Sequence, residues 1–397
     1  MSRPRGVCRG APFPNVGQVI ERPEFTIGIE EEYLVVERET RDLFNKPPKE
    51  MWDALSEVLG AQVTTEFLQA QIEVGTKVSS KVSEARSDLA TMRRDLSKVV
   101  SEYGAAIIAA STHPFANWAK TETTPDPRYM RIQADYQQVA RQLVICGMHV
   151  HVGIADDHLR LDLMNQVRYF LPHLLALSCS SPFWDGTLTG LQAYRLVIFQ
   201  NLPRTGMPEE FISWGEYQRY VEILVDAGLI EDASKLWWDI RPSARYPTLE
   251  MRISDVCTRL DDAMTVAALY QSLLGYLYRL RRNNQRWRVY SPGIIEENVW
   301  RAQRYGVEGT LVDFGKGTLV PFPDLLEEMI ELVAQDAIEF DARDEVRHAR
   351  DILSQGTSAQ RQIAAYERAV TDGASEHEAL QAVVDELIVD TLYGIEV

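Results

Sequence analysis

Gly147-Met148-His149-Val150-His151-Val152-Gly153 alternates apolar and imidazole side chains. Successive side chains of an extended strand point to opposite faces. His149 and His151 therefore share one face, and Met148, Val150 and Val152 the other. One face suits a core; the other carries two imidazoles. On its own, such a pair is most often two hydrogen-bonding histidines on a half-exposed strand.

Three further segments place carboxylates in the same manner. In Phe25–Val36, Phe25, Ile27, Ile29, Tyr33 and Val35 share a face, while Glu30 and Glu32 lie opposite with Thr26 and Gly28. In Thr248–Asp255, Glu250, Arg252 and Ser254 oppose Met251 and Ile253. The segment Glu66–Thr76 carries Glu66 and Glu73, an odd spacing that puts them on opposite faces of a straight strand. Both reach one site only if the chain turns or bulges between them. Acidic residues are depleted in strands, so carboxylates in three such runs need a cause. Exposed sheet faces are one; convergence on a hard divalent cation, which prefers oxygen ligands, is the other.

Seven strings in order, GIEEEY, EFLQAQIEVGT, GMHVHVG, TGLQAYR, WWDIRP, TLEMRISD and ENVWRAQRYG, run from about residue 25 to about residue 315. Together they resemble the glutamate–cysteine ligase type 2, or carboxylate-amine ligase, family. The resemblance implies an α+β fold of the glutamine synthetase and guanido kinase kind, a funnel-like antiparallel sheet packed by helices. Its inner face would hold two or three Mg²⁺ and ATP. It assigns Glu30, Glu32, Glu66, Glu73, His149 and Glu250 to the metal, and His151 to the transferring phosphate. Arg241, Arg252 and Arg195 become candidate phosphate or substrate-carboxylate contacts. The implied activity joins a carboxylate, by expectation the γ-carboxylate of glutamate, to an amine, by default cysteine, through an acyl phosphate. Alternatives are a guanidino-kinase-type phosphotransferase on the same fold and a nucleotide-binding regulatory pseudoenzyme. A metal-dependent hydrolase built on the His pair would need His113, His158 or His173, none of which sits in a comparable motif.

The remaining chain reads as a support. Ser79–Tyr103 has an amphipathic helical period, with Arg86, Arg93, Arg94 and Lys98 expected on a solvated face. Residues 105–111 predict a buried strand and 113–135 a long loop able to cover a site. Leu159–Ser178 predicts a helix, Gly190–Asn201 a strand, and Ser213–Ala227 and Asp261–Arg282 helices. Trp237 and Trp238 are expected in the core; Trp184 and Asp185 are expected near a pocket rim. His113 and His173 read as structural. From Pro321 onward three or four helices form a layer of the same domain, which spans 24–397 as one catalytic unit. Residues 1–23 lack the apolar run of a signal peptide and are expected to be a flexible tail.

The chain has 397 residues, 41 basic against 58 acidic, for a net charge of −17. That balance disfavours nucleic acid and anionic membranes. No apolar run approaches the roughly 18–20 residues of a membrane span. The four cysteines, Cys8, Cys146, Cys179 and Cys257, show no paired spacing and point to free thiols in a reducing cytoplasm. Expected partners are small amino acid and amine substrates, with a homo-oligomer possible in principle.

Overall fold

The computed structural model describes residues 21–396. Residues 1–20 of the expected tail, with Cys8, lie outside the described residues.

Seven antiparallel strands form the main sheet: β1 (Ile27–Glu37), β2 (Val63–Thr65), β3 (Gln71–Gly75), β4 (Ala105–Ile108), β5 (Met148–Gly153), β6 (Ile240–Pro242) and β7 (Thr248–Met251). Their order is β6-β7-β5-β1-β3-β2, with β4 pairing the far half of β1. The long β1 is thus shared along its length. Its first half pairs β5, its middle pairs β3, and its last residues pair β4. Alternation sets the faces as the sequence requires. Ile27, Ile29, Tyr33 and Val35 are fully buried on the back, while Glu30 and Glu32 face the cavity in front.

Helices surround the sheet. In chain order they are α1 (Lys49–Leu59), α2 (Val82–Ser101), α3 (Pro127–Arg141), α4 (Asp157–Val167), α5 (Leu171–Ser178), α6 (Arg195–Phe199), α7 (Trp214–Asp226), α8 (Leu260–Arg282) and α9 (Pro292–Tyr305). The C-terminal part adds α10 (Phe322–Glu339), α11 (Arg343–Arg347), α12 (Ala349–Gln355), α13 (Ser358–Thr371) and α14 (Glu376–Thr391). α2 packs on β1, α8 on β5, and α4 on β6 and β7. α8 is buried on nearly every side because α10 and α11 lie over it. α2 starts where Glu84 accepts the backbone N–H groups of Ser80 and Lys81, which satisfies donors left free at a helix N-terminus. Among the described residues no helix is long and apolar enough to cross a membrane.

The structure corrects several expectations. Gly190–Asn201 is not a strand: Tyr194 accepts hydrogen bonds from Val197 and Ile198 and closes the turn of α6. A short apolar run such as Leu196–Phe199 does not distinguish strand from helix by periodicity. The expected loop 113–135 becomes helical from Pro127, where the Asp126 side chain accepts the Arg128 N–H and proline occupies the first turn. The helix 159–178 is broken by a 3₁₀ turn at Arg168–Phe170 ahead of Pro172. The C-terminal layer holds five helices, because His348 divides the expected 342–355 helix. Arg93, assigned to a solvated face, is fully buried. It falls in line with Leu89 and Leu96 on the side of α2 that meets β1, where it pairs with Glu31. Cys146, Cys179 and Cys257 are free and buried. His113 and His173 are buried, and burial lowers each to about 4.

Candidate active site

The sheet's front face lines a cavity of about 810 Å³. Strand register arranges its polar residues in rows. Arg241 on β6 lies opposite Glu250 on β7, which lies opposite His151 on β5 and then Gly28 on β1. One step along, His149 lies opposite Glu30, itself opposite Gly75. One step further, Glu32 lies opposite Glu73 on β3, which lies opposite Thr64 on β2. Glu66 follows β2 directly, and the chain turns before β3 begins. The odd Glu66–Glu73 spacing is resolved by that turn, and both residues line the cavity.

The cavity's carboxylates fall into two electrostatic groups. Glu250 is nearly sealed from solvent and takes the fork of Arg241 at 2.9 and 3.0 Å and Arg252 Nη1 at 2.6 Å. Burial pushes its pKa up, but the charges of Arg252 and Arg241 outweigh burial and hold it well below the usual range. Glu30 lies 3.2 Å from His149 Nδ1 and 3.4 Å from His151 Nε2. Burial again pushes up, and the two histidines hold it down. Glu32, Glu66 and Glu73 behave oppositely. Burial, then repulsion from Glu66, raises Glu32 to about 7 despite Arg195 and the Gly147 N–H at 2.7 Å. Burial raises Glu66, although the Tyr129 hydroxyl donates to it at 3.0 Å. Burial and repulsion from Glu66, Glu30 and Glu32 push Glu73 up strongly, with only the Thr64 hydroxyl at 3.2 Å as a donor. Glu250 is thus paired with two arginines and Glu30 is held down by two histidines, whereas Glu32, Glu66 and Glu73 make no ion pair among the described residues and stay raised.

Geometry and charge single out different places for a cation. Glu30, His149 and Glu250 offer ligand atoms all within 4.8 Å of one another. Glu32, Glu66 and Glu73 are where positive charge is most needed. These are compatible as neighbouring stations, since Glu30 and Glu32 alternate on one strand face.

The nitrogen donors are held from behind. Arg241 Nη1 is anchored by the carbonyls of Ser234 and Leu236, both at 2.8 Å. His151 Nδ1 lies 2.9 Å from the Thr248 hydroxyl. With that hydroxyl donating, Nε2 carries the ring proton. Among the described residues Nε2 has no aligned hydrogen-bond partner, and neither has Arg252 Nε. Buried groups of this kind are normally satisfied. Burial, then the Arg252 charge, lowers His149 to about 4, so its imidazole is neutral near pH 7.

All the residues singled out by sequence line this one cavity: Glu30, Glu32, Glu66, Glu73, Glu250, His149, His151, Arg195, Arg241 and Arg252. Arg195, a candidate phosphate or carboxylate contact, is engaged by the protein itself. It is buried, its guanidinium donates to the carbonyls of Arg252 and Ile253, and it packs so closely on Gly147 that a Cβ there would stand 2.4 Å from Nη2. Trp237, expected in the core, lines the cavity, whereas Trp238 is buried. Trp184 and Asp185 belong to a hairpin at 183–188 outside the lining. Tyr129 and Thr248 were missed. An Asp-Pro helix start signals the first, and strand alternation from Glu250 the second.

A family model for glutamate–cysteine ligase family 2 matches residues 26–386. The chain is 58% identical over 377 residues to the "Putative glutamate--cysteine ligase 2" of Rhodospirillum rubrum, covering 94% of this chain and 97% of the relative. It is 49% identical over 375 residues to the protein of the same name from Jannaschia sp., covering 94% and 99%. Among solved structures, it resembles a glutamate–cysteine ligase from Francisella tularensis in complex with AMP, with TM-score 0.66 at 14% identity over 95% of this chain and 91% of that one. A bifunctional glutathione synthetase from Pasteurella multocida gives TM-score 0.68 at 14% identity, covering 92% of this chain and 52% of that one. At that identity the likeness concerns the fold. The chain belongs to glutamate–cysteine ligase family 2 and is a ligase that forms carbon–nitrogen bonds.

Proposed function

We propose that the cavity joins the γ-carboxylate of glutamate to an amine at the expense of ATP, with cysteine the default acceptor named by the relatives. The observation that supports this reading most directly is the division of one cavity's carboxylates into a compensated and an uncompensated group. The donor chemistry suits Mg²⁺, which takes oxygen ligands and retains part of its water shell. Glu32, Glu66 and Glu73 would hold one ion, and Glu30, His149 and Glu250 another. Bound there, Mg²⁺ supplies charge neutralisation for a triphosphate and its developing transition state.

The protein's own residues do the rest. Among the described residues Arg252 Nε has no partner and His151 Nε2–H meets only Glu30, at 3.4 Å, so both donors are suited to phosphoryl oxygens. Glu250 holds Arg241 and Arg252 in place, so the donors need little reorganisation on reaction. A carboxylate is a poor electrophile. Its oxygen attacks the γ-phosphorus, the bond to ADP breaks, and an acyl phosphate forms. The amine nitrogen then attacks the carbonyl carbon, the C–N bond forms, inorganic phosphate leaves, and the amine loses a proton.

The test is ADP release from Mg-ATP with glutamate across a panel of amines. Stimulation by one amine, dependent on glutamate, is the expected result. Stimulation that needs no glutamate would remove glutamate as the carboxylate substrate, and phosphorylated product without amide would replace the ligase reading with phosphotransfer.

The two histidines are expected to separate kinetically. His149→Ala should raise the Mg²⁺ concentration needed for half-maximal rate. His151→Ala should lower kcat with a smaller effect on that requirement, because its Nε2 serves the phosphoryl group. Identical Mg²⁺ titrations for both variants would contradict this division.

A further inference from the structure

Glu30, Glu31 and Glu32 are three consecutive carboxylates on one strand; alternation turns the outer two toward the cavity and the middle one, Glu31, into the core. A one-residue slip of β1 would exchange its two faces, and the run would still present glutamate in front. In the structure Glu31 points backward and is fully buried beside Ile29 and Tyr33. Its carboxylate takes both arms of Arg93, at 2.9 Å from Nε and 2.7 Å from Nη2, together with the Tyr33 hydroxyl. The same guanidinium donates to the carbonyls of Cys257 at 2.9 Å, Thr258 at 2.6 Å and Thr391 at 3.1 Å. Cys257 and Thr258 follow shortly after β7, the strand that carries Glu250. Thr391 ends α14, and its hydroxyl accepts the Ala109 N–H just beyond β4.

A fully buried ion pair is weak evidence of stabilisation, because desolvation offsets the attraction; its best-attested use is to fix register. Here the pair lies directly behind the carboxylates on both sides of it in sequence. We infer that Glu31 and Arg93 are positioning residues for the carboxylate centre. Their pairing gives the one carboxylate that alternation turns into the core a partner there, and so holds Glu30 and Glu32, on either side of it, toward the cavity. It also ties β1 to the segment after β7 and to the C-terminal helix. The inference rests on the proposed cation site.

Mn²⁺ binding followed by electron paramagnetic resonance, beside thermal melting, tests it without turnover. The variants are Arg93→Lys, which keeps charge but loses the fork, and Glu31→Gln, which keeps shape but loses charge. Glu32→Gln reports on the site itself. Arg168→Lys is the control for burial alone: Arg168 is equally buried but bonds to Asn165 and Pro208, neither of which lines the cavity. Below their melting temperatures, Arg93→Lys and Glu31→Gln should bind Mn²⁺ about 10- to 100-fold more weakly, the range typical when partners behind metal ligands are changed. Arg168→Lys should lose stability and keep wild-type Mn²⁺ affinity. Wild-type Mn²⁺ binding in both pair variants, with Glu32→Gln defective, would overturn the inference alone. Mn²⁺ binding that also ignores Glu32→Gln would overturn the cation site and the inference together.

Discussion

Glu250→Gln should lower kcat by on the order of a hundredfold or more. Glutamine matches the shape but cannot offset two guanidinium groups. Arg241 and Arg252, now held by Glu250 at 2.9 and 2.6 Å, would repel each other and leave the positions that suit phosphoryl oxygens. The variant would also lose one of the three groups whose ligand atoms converge within 4.8 Å. Removing one partner of a buried ion pair typically costs about 3–5 kcal/mol of stability, so rates must be measured below a melting temperature determined for the variant. Activity within about threefold of wild type, equivalent to roughly 0.7 kcal/mol, would be too small for this role.

Divalent cation binding should strengthen as pH rises through about 7 and should release protons. Glu32 sits at about 7 because of burial and the nearby Glu66, and burial and three neighbouring carboxylates push Glu73 up as well. Below about 7 Glu32 is protonated and a poor ligand, and the upward shift of Glu73 acts in the same direction. The sign for folding is the opposite of the usual carboxylate case. An unfolded glutamate titrates near 4.5, so a raised group favours the fold below that pH, and the contribution of Glu32 is lost as pH rises through about 7. His113, His149 and His173, lowered to about 4, act in the other direction, losing stability as pH falls from about 6.5 to 4. Between pH 6.5 and 8 the carboxylates dominate. Without divalent cations the melting temperature should therefore fall across that window, and saturating Mg²⁺ with ATP should abolish the fall. Ligand at a hundredfold excess over Kd adds about 2.7 kcal/mol. Calorimetry of Mg²⁺ binding in buffers of different ionisation enthalpy reads the proton release directly. A cation affinity flat from pH 6 to 8 would mean that the three carboxylates are not ligands.

The sheet was largely legible because β1, β5 and β7 each set a strict polar row against an apolar one, and a period of two leaves little freedom. The positions of Glu30, Glu250 and the His pair followed directly. Local pattern fails where a side chain's role depends on a distant partner. Arg93 reads as one more cation on a charged helix until Glu31 is seen opposite it. Arg195 reads as a free phosphate contact until the carbonyls of Arg252 and Ile253 are found in its path. Tyr129 reaches Glu66 only because α3 begins at Asp126-Pro127, a capping signal overshadowed by the surrounding prolines. The electrostatic division among the carboxylates was not legible either, since it depends on which arginines and histidines each one meets in space.

The sharing of β1 among three partners has a consequence for the order of assembly during translation. β1 leaves the ribosome early, but β5 follows more than a hundred residues later, and β7 nearly a hundred after that. At about 5–20 residues per second, the first glutamates wait many seconds for the histidines and longer for Glu250. Thr391, which helps hold Arg93 behind them, arrives almost last. Pairings so distant in sequence close slowly because the intervening loop entropy is lost before contacts compensate. The nascent chain therefore lacks the complete set of proposed cation-site residues through most of its synthesis.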